Sequence, residues 1–263
     1  MHGAVRVFIT GASSGIGAAL ARHYAAQGAT LGLLARRGEA LDALIATLPN
    51  PERHRAYPAD VRDHSALQAA AGSFIAHAGG VDIVIANAGI SHGTLTDQPE
   101  DLAVFEAILA TNVTATVATF APFIPTLRNQ RSPARLVGIA SVAGIRGLPG
   151  ASAYSASKAA VISYCESLRL EMRPYGIKVV TIAPGYIDTP MTQRNAYPMP
   201  FLMKPERFAE AAASAIARGD SYRVIPWQMG IVAKLLRMLP NALYDLAFAR
   251  APHKARKNSH EPS

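Results

Sequence analysis

Thr10-Gly11-Ala12-Ser13-Ser14-Gly15-Ile16-Gly17 lies between an apolar run, Val5 to Thr10, and a helical pattern from Ile16 to Gln27. Glycine has no Cβ, so the backbone here can turn tightly and come close to another group. The helix opening at Ile16 would aim unpaired N–H groups and its positive end at the same place, an arrangement that suits pyrophosphate. The glycines fall at G-x-x-x-G-x-G spacing, a different pattern from G-x-G-x-x-G. Alone, a glycine-rich turn is a weak sign; its position between a first strand and a helix strengthens it.

Beyond this turn, short β-rich apolar runs alternate with longer helical ones. Strands are expected at 5–10, 30–35, 55–58, 82–86, 135–140, 178–183 and 223–226, and helices near 16–27, 39–48, 65–78, 101–127, 153–173 and 205–218. That alternation predicts an α/β fold: one Rossmann-like, doubly wound parallel sheet of about seven strands flanked by helices. Ligands of such sheets sit outside the carboxyl ends of the strands. Gly11 follows the first expected strand, Asp60 the third, Asn87 the fourth, Ser141 the fifth and Pro184-Gly185 the sixth, so the chemistry-bearing positions share one edge.

Composition bounds the reading. A chain of 263 residues that is 50% apolar can bury a sizeable core without disulfides or metals. Cys165 is the one cysteine, which excludes an intramolecular disulfide and a multi-cysteine zinc site and fits a reducing, cytoplasmic compartment. The histidines are scattered without metal-ligand spacing, so no metal is expected. The N-terminus shows no signal-peptide pattern, and the apolar runs are of core-strand length. Part of the net charge of +8 is local: residues 250–263 hold four Lys or Arg against one Glu, which reads as a solvated end. Without an aromatic platform or recognition motif, that tail does not suggest nucleic-acid binding.

Tyr154-Ser155-Ala156-Ser157-Lys158 places a phenol and an ammonium at i and i+4, neighbours on one helix face. A free tyrosine has a pKa near ~10 and is seldom ionised at neutral pH. A cation ~4 Å away at an effective dielectric of ~20 contributes at most ~4 kcal/mol, about three pKa units. That would bring the phenol towards the range where general acid/base catalysis is efficient. Beside a dinucleotide turn, this pairing points to hydride transfer.

The end of the second strand carries the cofactor choice. A preference for NAD would place Asp or Glu there, about 20 residues past the glycine turn, on the ribose 2'-hydroxyl. Here the chain reads Leu33-Leu34-Ala35-Arg36-Arg37. Guanidinium groups bind phosphate with charge-assisted, often bidentate bonds. NADP(H) is therefore expected, with Arg36 the main determinant and Arg37 helping, and NAD(H) as the weaker alternative.

From residue 5 to 189, this ordered set resembles the short-chain dehydrogenase/reductase family: Thr10-Gly11-x-x-x-Gly15-x-Gly17, Asp60-Val61, Asn87-Ala88-Gly89, Asn112, Ser141, Tyr154-x-x-x-Lys158 and Pro184-Gly185. The resemblance implies that Tyr154 exchanges a proton with the substrate oxygen. It implies that Lys158 also holds the nicotinamide ribose, that Ser141 binds the substrate oxygen, and that Asn112 completes a proton relay through water. Gly11, Ser13, Ser14, Gly15, Ile16 and Gly17 would cradle the phosphates, and Asp60 and Val61 would meet the adenine. Asn87, Ala88 and Gly89 would line the cofactor, Pro184 and Gly185 would turn the chain, and Ile187 and Thr189 would meet the carboxamide. The family also implies a homodimer or homotetramer, here through the helices expected at 101–127 and 153–173. Ala140 departs from a pattern in which many relatives have a second serine.

Two regions lie outside the motifs. Residues 184–205 read as a lid rich in Tyr186, Met191, Tyr197, Met199, Phe201, Leu202 and Met203, which suggests an apolar alcohol or ketone substrate. His92 and Arg146 follow the fourth and fifth strands; each reads first as a surface residue, with contact to a polar or anionic substrate as the alternative. We divide the chain into 1–226, the Rossmann-type cofactor-binding and catalytic part, and 227–263, a helical extension and basic tail of the same domain. Residues 227–249 have helix-spaced apolar positions with Lys234 and Arg237 interleaved, broken at Pro240-Asn241. Three uses stay open for this segment: covering the active site, joining subunits, or peripheral contact with a membrane. The expected activity is an NADP(H)-dependent oxidoreductase interconverting a secondary alcohol and a ketone. The competing reading is a non-catalytic NADP(H)-binding regulator or scaffold, against which intact Ser141, Tyr154 and Lys158 argue. Epimerisation or dehydration of a nucleotide sugar is disfavoured by chain length and glycine spacing.

Overall fold

The apolar run before the glycine turn becomes the middle of a sheet covered on both faces: Val7, Phe8 and Ile9 are fully buried. The computed structural model describes residues 4–130, 133–193, 195, 197–249, 254 and 256. Its strands are β1 (Arg6–Thr10), β2 (Thr30–Ala35), β3 (Arg55–Pro58), β4 (Ile83–Ala86), β5 (Arg135–Ile139), β6 (Lys178–Pro184) and β7 (Tyr222–Ile225). They form one parallel sheet in the order β3-β2-β1-β4-β5-β6-β7. The order reverses between β1 and β4, and that switch point opens the crevice at the carboxyl edge.

The helices are α1 (Gly15–Ala26), α2 (Gly38–Ala46), α3 (His64–Ala78), α4 (Asp101–Leu109), α5 (Ala115–Phe120), α6 (Ile124–Asn129), α7 (Ser152–Met172), α8 (Pro205–Arg218), α9 (Trp227–Met238) and α10 (Asn241–Phe248). On one face Leu20, Leu31, Leu33, Leu41, Phe208 and Ile216 form a core beneath α1, α2 and α8. On the other, Phe8, Phe74, Phe120, Phe123, Leu136 and Val161 form a second core beneath α3, α5 and α7. Each such large apolar side chain contributes roughly 1.5–3 kcal/mol of transfer free energy when buried. Cys165 lies in the second core, where burial pushes its thiol up to about 11.

The expected helix over 101–127 is not continuous. Between α4 and α5 the backbone makes a π turn, Ala110–Thr114, and a 3-10 turn, Ala121–Phe123, separates α5 from α6. Pro122 and Pro125 lack the N–H an unbroken helix would need. The π turn has a tertiary cause: it seats Asn112 against the loop after β4. Such turns inside helices frequently accompany functional sites.

Candidate active site

The turn after β1 has the shape its glycines require. Gly11 and Gly15 have φ of 65° and 54°, a region that favours glycine. A Cβ on Gly11 would lie 2.8 Å from Ala88 Cα, and one on Gly17 would lie 2.3 Å from the Gly11 carbonyl oxygen. Thr10 Oγ1 accepts from the backbone N–H groups of Asn87 and Ala88 at 3.1 and 3.2 Å. Asn87 Nδ2 donates to the carbonyls of Thr10 and Gly11 at 3.0 and 3.1 Å. These bonds lock the turns after β1 and β4 together at the switch point. The Ser14 side chain makes no capping bond at the N-terminus of α1, which leaves first-turn N–H groups for an anion among the described residues.

From this turn a cavity of about 750 Å³ runs along the carboxyl edge of the sheet. Every residue expected to touch the cofactor lines it except Gly17, and of the catalytic set Ser141, Tyr154 and Lys158 line it and Asn112 does not. Gly17 acts instead by letting α1 start against the Gly11 carbonyl. Val104, Ala107 and Thr111 also line the cavity. Sequence reading missed them, although their i, i+3, i+7 spacing marks one face of α4 and the turn that follows.

At one end, Arg36 and Arg37 are exposed at the cavity edge, and Arg37 Nη2 donates to Ser13 Oγ at 3.2 Å. Arg62 Nη2 pairs with Asp60 Oδ2 at 2.7 Å, and the Arg62 bonds, helped by the Arg36 charge, hold the Asp60 carboxyl below the usual carboxylate range. No ion pair among the described residues involves Arg36. Two guanidinium groups and the Ser13 hydroxyl therefore share this end of the cavity.

At the other end, Ser141 closes β5 and α7 presents Tyr154 and Lys158. Ser141 Oγ accepts from the Ala143 N–H at 3.2 Å, and its hydroxyl is hydrogen-bonded to that of Tyr154. The close fit depends on Gly144, where a Cβ would stand 2.6 Å from the Lys158 carbonyl carbon. Asn112, 1% exposed, donates from Nδ2 to the Ile90 carbonyl at 3.0 Å and to Ser157 Oγ at 2.9 Å. Its Oδ1 accepts from the Ile90 N–H at 2.9 Å. The Asn112 side chain thus braces the loop after β4 against α7 from behind the cavity wall.

The ammonium does not act on the phenol as its sequence spacing suggests. Lys158 Nζ donates to the Ile139 carbonyl at 2.9 Å and stands 5.8 Å from the centre of the Tyr154 ring. Burial dominates both groups: it pushes Tyr154 up, an effect opposed by the Ser141 hydrogen bond, and it pulls Lys158 down to about 8.

Two further expectations change. Arg146 does not face the cavity as a substrate contact. It donates to the carbonyls of Leu236 and Leu239, each at 2.8 Å, and to Asn241 Oδ1 at 3.0 Å, with its guanidinium 4.1 Å from the Tyr244 ring centre. Arg237 returns a bond to the Ile145 carbonyl at 3.1 Å, and Tyr244 Oη donates to Gly147. α9 and α10 thereby clamp the segment joining Ser141 to Tyr154. Nor is the basic tail a merely solvated end at its described positions: Lys254 Nζ donates to Ser91 Oγ at 2.6 Å, and Arg256 pairs with Asp101 and Glu100. The other tail residues lie outside the described ones.

The sequence profile of the family described as short chain dehydrogenase matches residues 5–198. The chain belongs to the short-chain dehydrogenase family. It is 37% identical over 251 residues to a Myxococcus xanthus protein named uncharacterized oxidoreductase, covering 92% of this chain and 95% of that one. A short-chain dehydrogenase from Streptomyces avermitilis superimposes with a TM-score of 0.79 at 26% identity, covering 93% and 94% of the two chains. A 3-ketoacyl-(acyl-carrier-protein) reductase from Brucella melitensis complexed with NADH does so with a TM-score of 0.75 at 27% identity, over 85% and 97%. This short-chain dehydrogenase is thus an oxidoreductase acting on CH–OH groups with a nicotinamide dinucleotide. Its family generally takes small-molecule substrates and forms oligomers.

Proposed function

We propose that the protein is an NADP(H)-dependent oxidoreductase that interconverts a secondary alcohol and a ketone. The observation that carries the reading is one cavity with Arg36 and Arg37 at one end and Ser141, Tyr154 and Lys158 at the other. The bound dinucleotide would supply hydride chemistry. Ser13, Arg36 and Arg37 would hold the 2'-phosphate, and the N–H groups at the start of α1 would hold the pyrophosphate.

Tyr154 gives a proton to the ketone oxygen in reduction and accepts one from the alcohol in oxidation. Burial keeps its phenol protonated through neutral pH, the form reduction needs. Ser141, hydrogen-bonded to Tyr154, orients the same substrate oxygen. Lys158, whose ammonium donates to the Ile139 carbonyl, would hold the nicotinamide ribose. Asn112 is a positioning residue that fixes the loop carrying Gly89 and Ile90. Tyr186 and Tyr197, edge-to-face at 6.3 Å, and Met191 on the cavity wall support an apolar body for the substrate.

NADPH oxidation followed across aldehydes, aliphatic ketones, steroids and keto-sugars, with NADH in parallel, tests this reading. Turnover with NADPH exceeding that with NADH is expected. Tight NADPH binding without turnover on any class would favour the non-catalytic regulator.

A cytoplasmic location is part of the proposal, supported by the buried, unpaired Cys165. A homodimer or homotetramer is also proposed, because Leu102, Val117 and Leu170 are exposed on α4, α5 and α7. Light scattering tests it, and a strict monomer would refute it. Peripheral membrane contact rests on α9, where Trp227, Ile231, Leu235 and Met238 form one exposed stripe beside Lys234 and Arg237.

A further inference from the structure

The end of the chain comes back to the reacting residues. Arg256 donates from Nε to Asp101 Oδ2 at 2.9 Å and from Nη2 to Asp101 Oδ1 at 3.1 Å and Glu100 Oε1 at 2.7 Å. Asp101, the first residue of α4, is 4% exposed, so a planar fork grips a nearly buried carboxylate, the geometry in which charge-assisted bonds are strongest. Arg256 also pairs with Gly93 as a parallel bridge. This anchor sets Lys254, two positions earlier, beside the Tyr154 ring and against Ser91, which lies between the cavity-lining Ile90 and His92. Lys254 Nζ donates to Ser91 Oγ and lies 5.3 Å from the centre of the Tyr154 ring, nearer than Lys158 at 5.8 Å.

Glu100 and Asp101 are taken by Arg256, and among the described residues no carboxylate pairs with Lys254. Burial pulls its ammonium down to about 8, which leaves it mostly charged at neutral pH. A largely desolvated cation with no direct carboxylate partner among the described residues is costly, and the cost falls when an incoming anion pairs with it.

We infer that Lys254 is a specificity residue: with the Ser91 hydroxyl it takes a carboxylate of the substrate, next to the oxygen served by Tyr154. The assignment rests on the oxidoreductase reading above and narrows its substrate class to a hydroxy or keto acid with an apolar body. One ammonium and one hydroxyl match a single charge carried on two oxygens. A dianionic phosphate would keep an uncompensated charge there, since the single charge of Arg256 is already set against the carboxylates of Asp101 and Glu100.

Calorimetric titration of the NADP+-loaded enzyme with octanoate and with neutral octanamide tests the site without requiring turnover. Wild type should bind octanoate about tenfold or more tightly than octanamide, the size of a charge-assisted bond. Lys254→Met should bring the two ligands within about twofold, and Lys254→Arg should keep most of the preference. Equal affinity of both ligands for wild type, no binding of octanoate, or an undiminished preference in Lys254→Met would overturn the assignment. An enzyme that prefers octanoate through Lys254 but never oxidises NADPH would refute the oxidoreductase reading and leave this one standing. One that turns over neutral ketones with no preference for octanoate would do the reverse.

Discussion

Lys158 Nζ is bonded to the carbonyl oxygen of Ile139, at 2.9 Å, and not to the Tyr154 hydroxyl four residues before it in α7. Their i, i+4 spacing makes them neighbours, but the ammonium, withdrawn from water, is held by the carbonyl at the end of β5. Its charge stabilises a backbone dipole, and the phenol keeps its proton by burial. In the proposed cycle the lysine acts through the cofactor ribose and the tyrosine acts on the substrate.

That arrangement fixes the sign of a stability effect. Lys158 sits at about 8 in the folded protein against an ordinary 10.5, so between these values the unfolded chain binds more protons than the folded one. Stability contributed through this group therefore rises as pH goes from about 8 to about 10.5 and is lowest below about 8. Urea unfolding of wild type and Lys158→Met across that window reads the effect, because Lys254 and Tyr154 titrate in both proteins and the loss of the Lys158 charge beside Cys165 shifts the difference in the same direction. The stability difference should move in favour of wild type as pH rises. A flat or opposite difference would mean that Lys158 is not desolvated.

Arg36→Ala, and more strongly Arg36→Ala with Arg37→Ala, should lower kcat/KM for NADPH while sparing NADH. A hydrogen bond to a charged group contributes ~1.5–3 kcal/mol, so each arginine should change the NADPH-to-NADH ratio roughly 10- to 100-fold. An unchanged ratio in the double variant would place the 2'-phosphate elsewhere.

Gly17→Ala and Gly72→Ala should diverge. A Cβ on Gly17 meets the Gly11 carbonyl oxygen at 2.3 Å, whereas nothing lies within 4 Å of one on Gly72, inside α3. The first variant should lose both NADPH affinity and thermal stability. The second should be neutral or gain ~0.5–1 kcal/mol, the helix-interior preference for alanine over glycine. Differential scanning fluorimetry with and without NADPH reads both effects.

The exposed stripe of α9 makes a separate prediction. Flotation with anionic vesicles should recover wild type and lose a protein carrying Trp227→Ser and Leu235→Ser, with NADPH affinity unchanged. Equal recovery would leave the stripe to subunit contact.

What the chain declares in its own order was legible. The alternation of strands and helices, the glycine turn and the residues after β1, β3, β4, β5 and β6 are local patterns, and together they specify the sheet edge where the cavity lies. Features that depend on partners distant in sequence were not. The π turn at Asn112 needs Ile90 and Ser157, the Lys158 ammonium needs the Ile139 carbonyl, and Arg146 needs the carbonyls at the end of α9. The return of Lys254 needs Asp101 and Glu100, 155 and 156 positions from Arg256, so nothing near it in the chain distinguishes it from a solvated tail.

Transfer of label from NADPH deuterated at C4 to a ketone tests the central claim most directly, with the product alcohol examined by mass spectrometry for wild type and Tyr154→Phe. Wild type should deliver deuterium to the carbinol carbon from one face of the cofactor only. The phenylalanine variant should bind NADPH as wild type does but transfer label more slowly by about 10²- to 10⁴-fold, the range for removing a general acid. Label transfer by Tyr154→Phe at close to the wild-type rate would contradict the account.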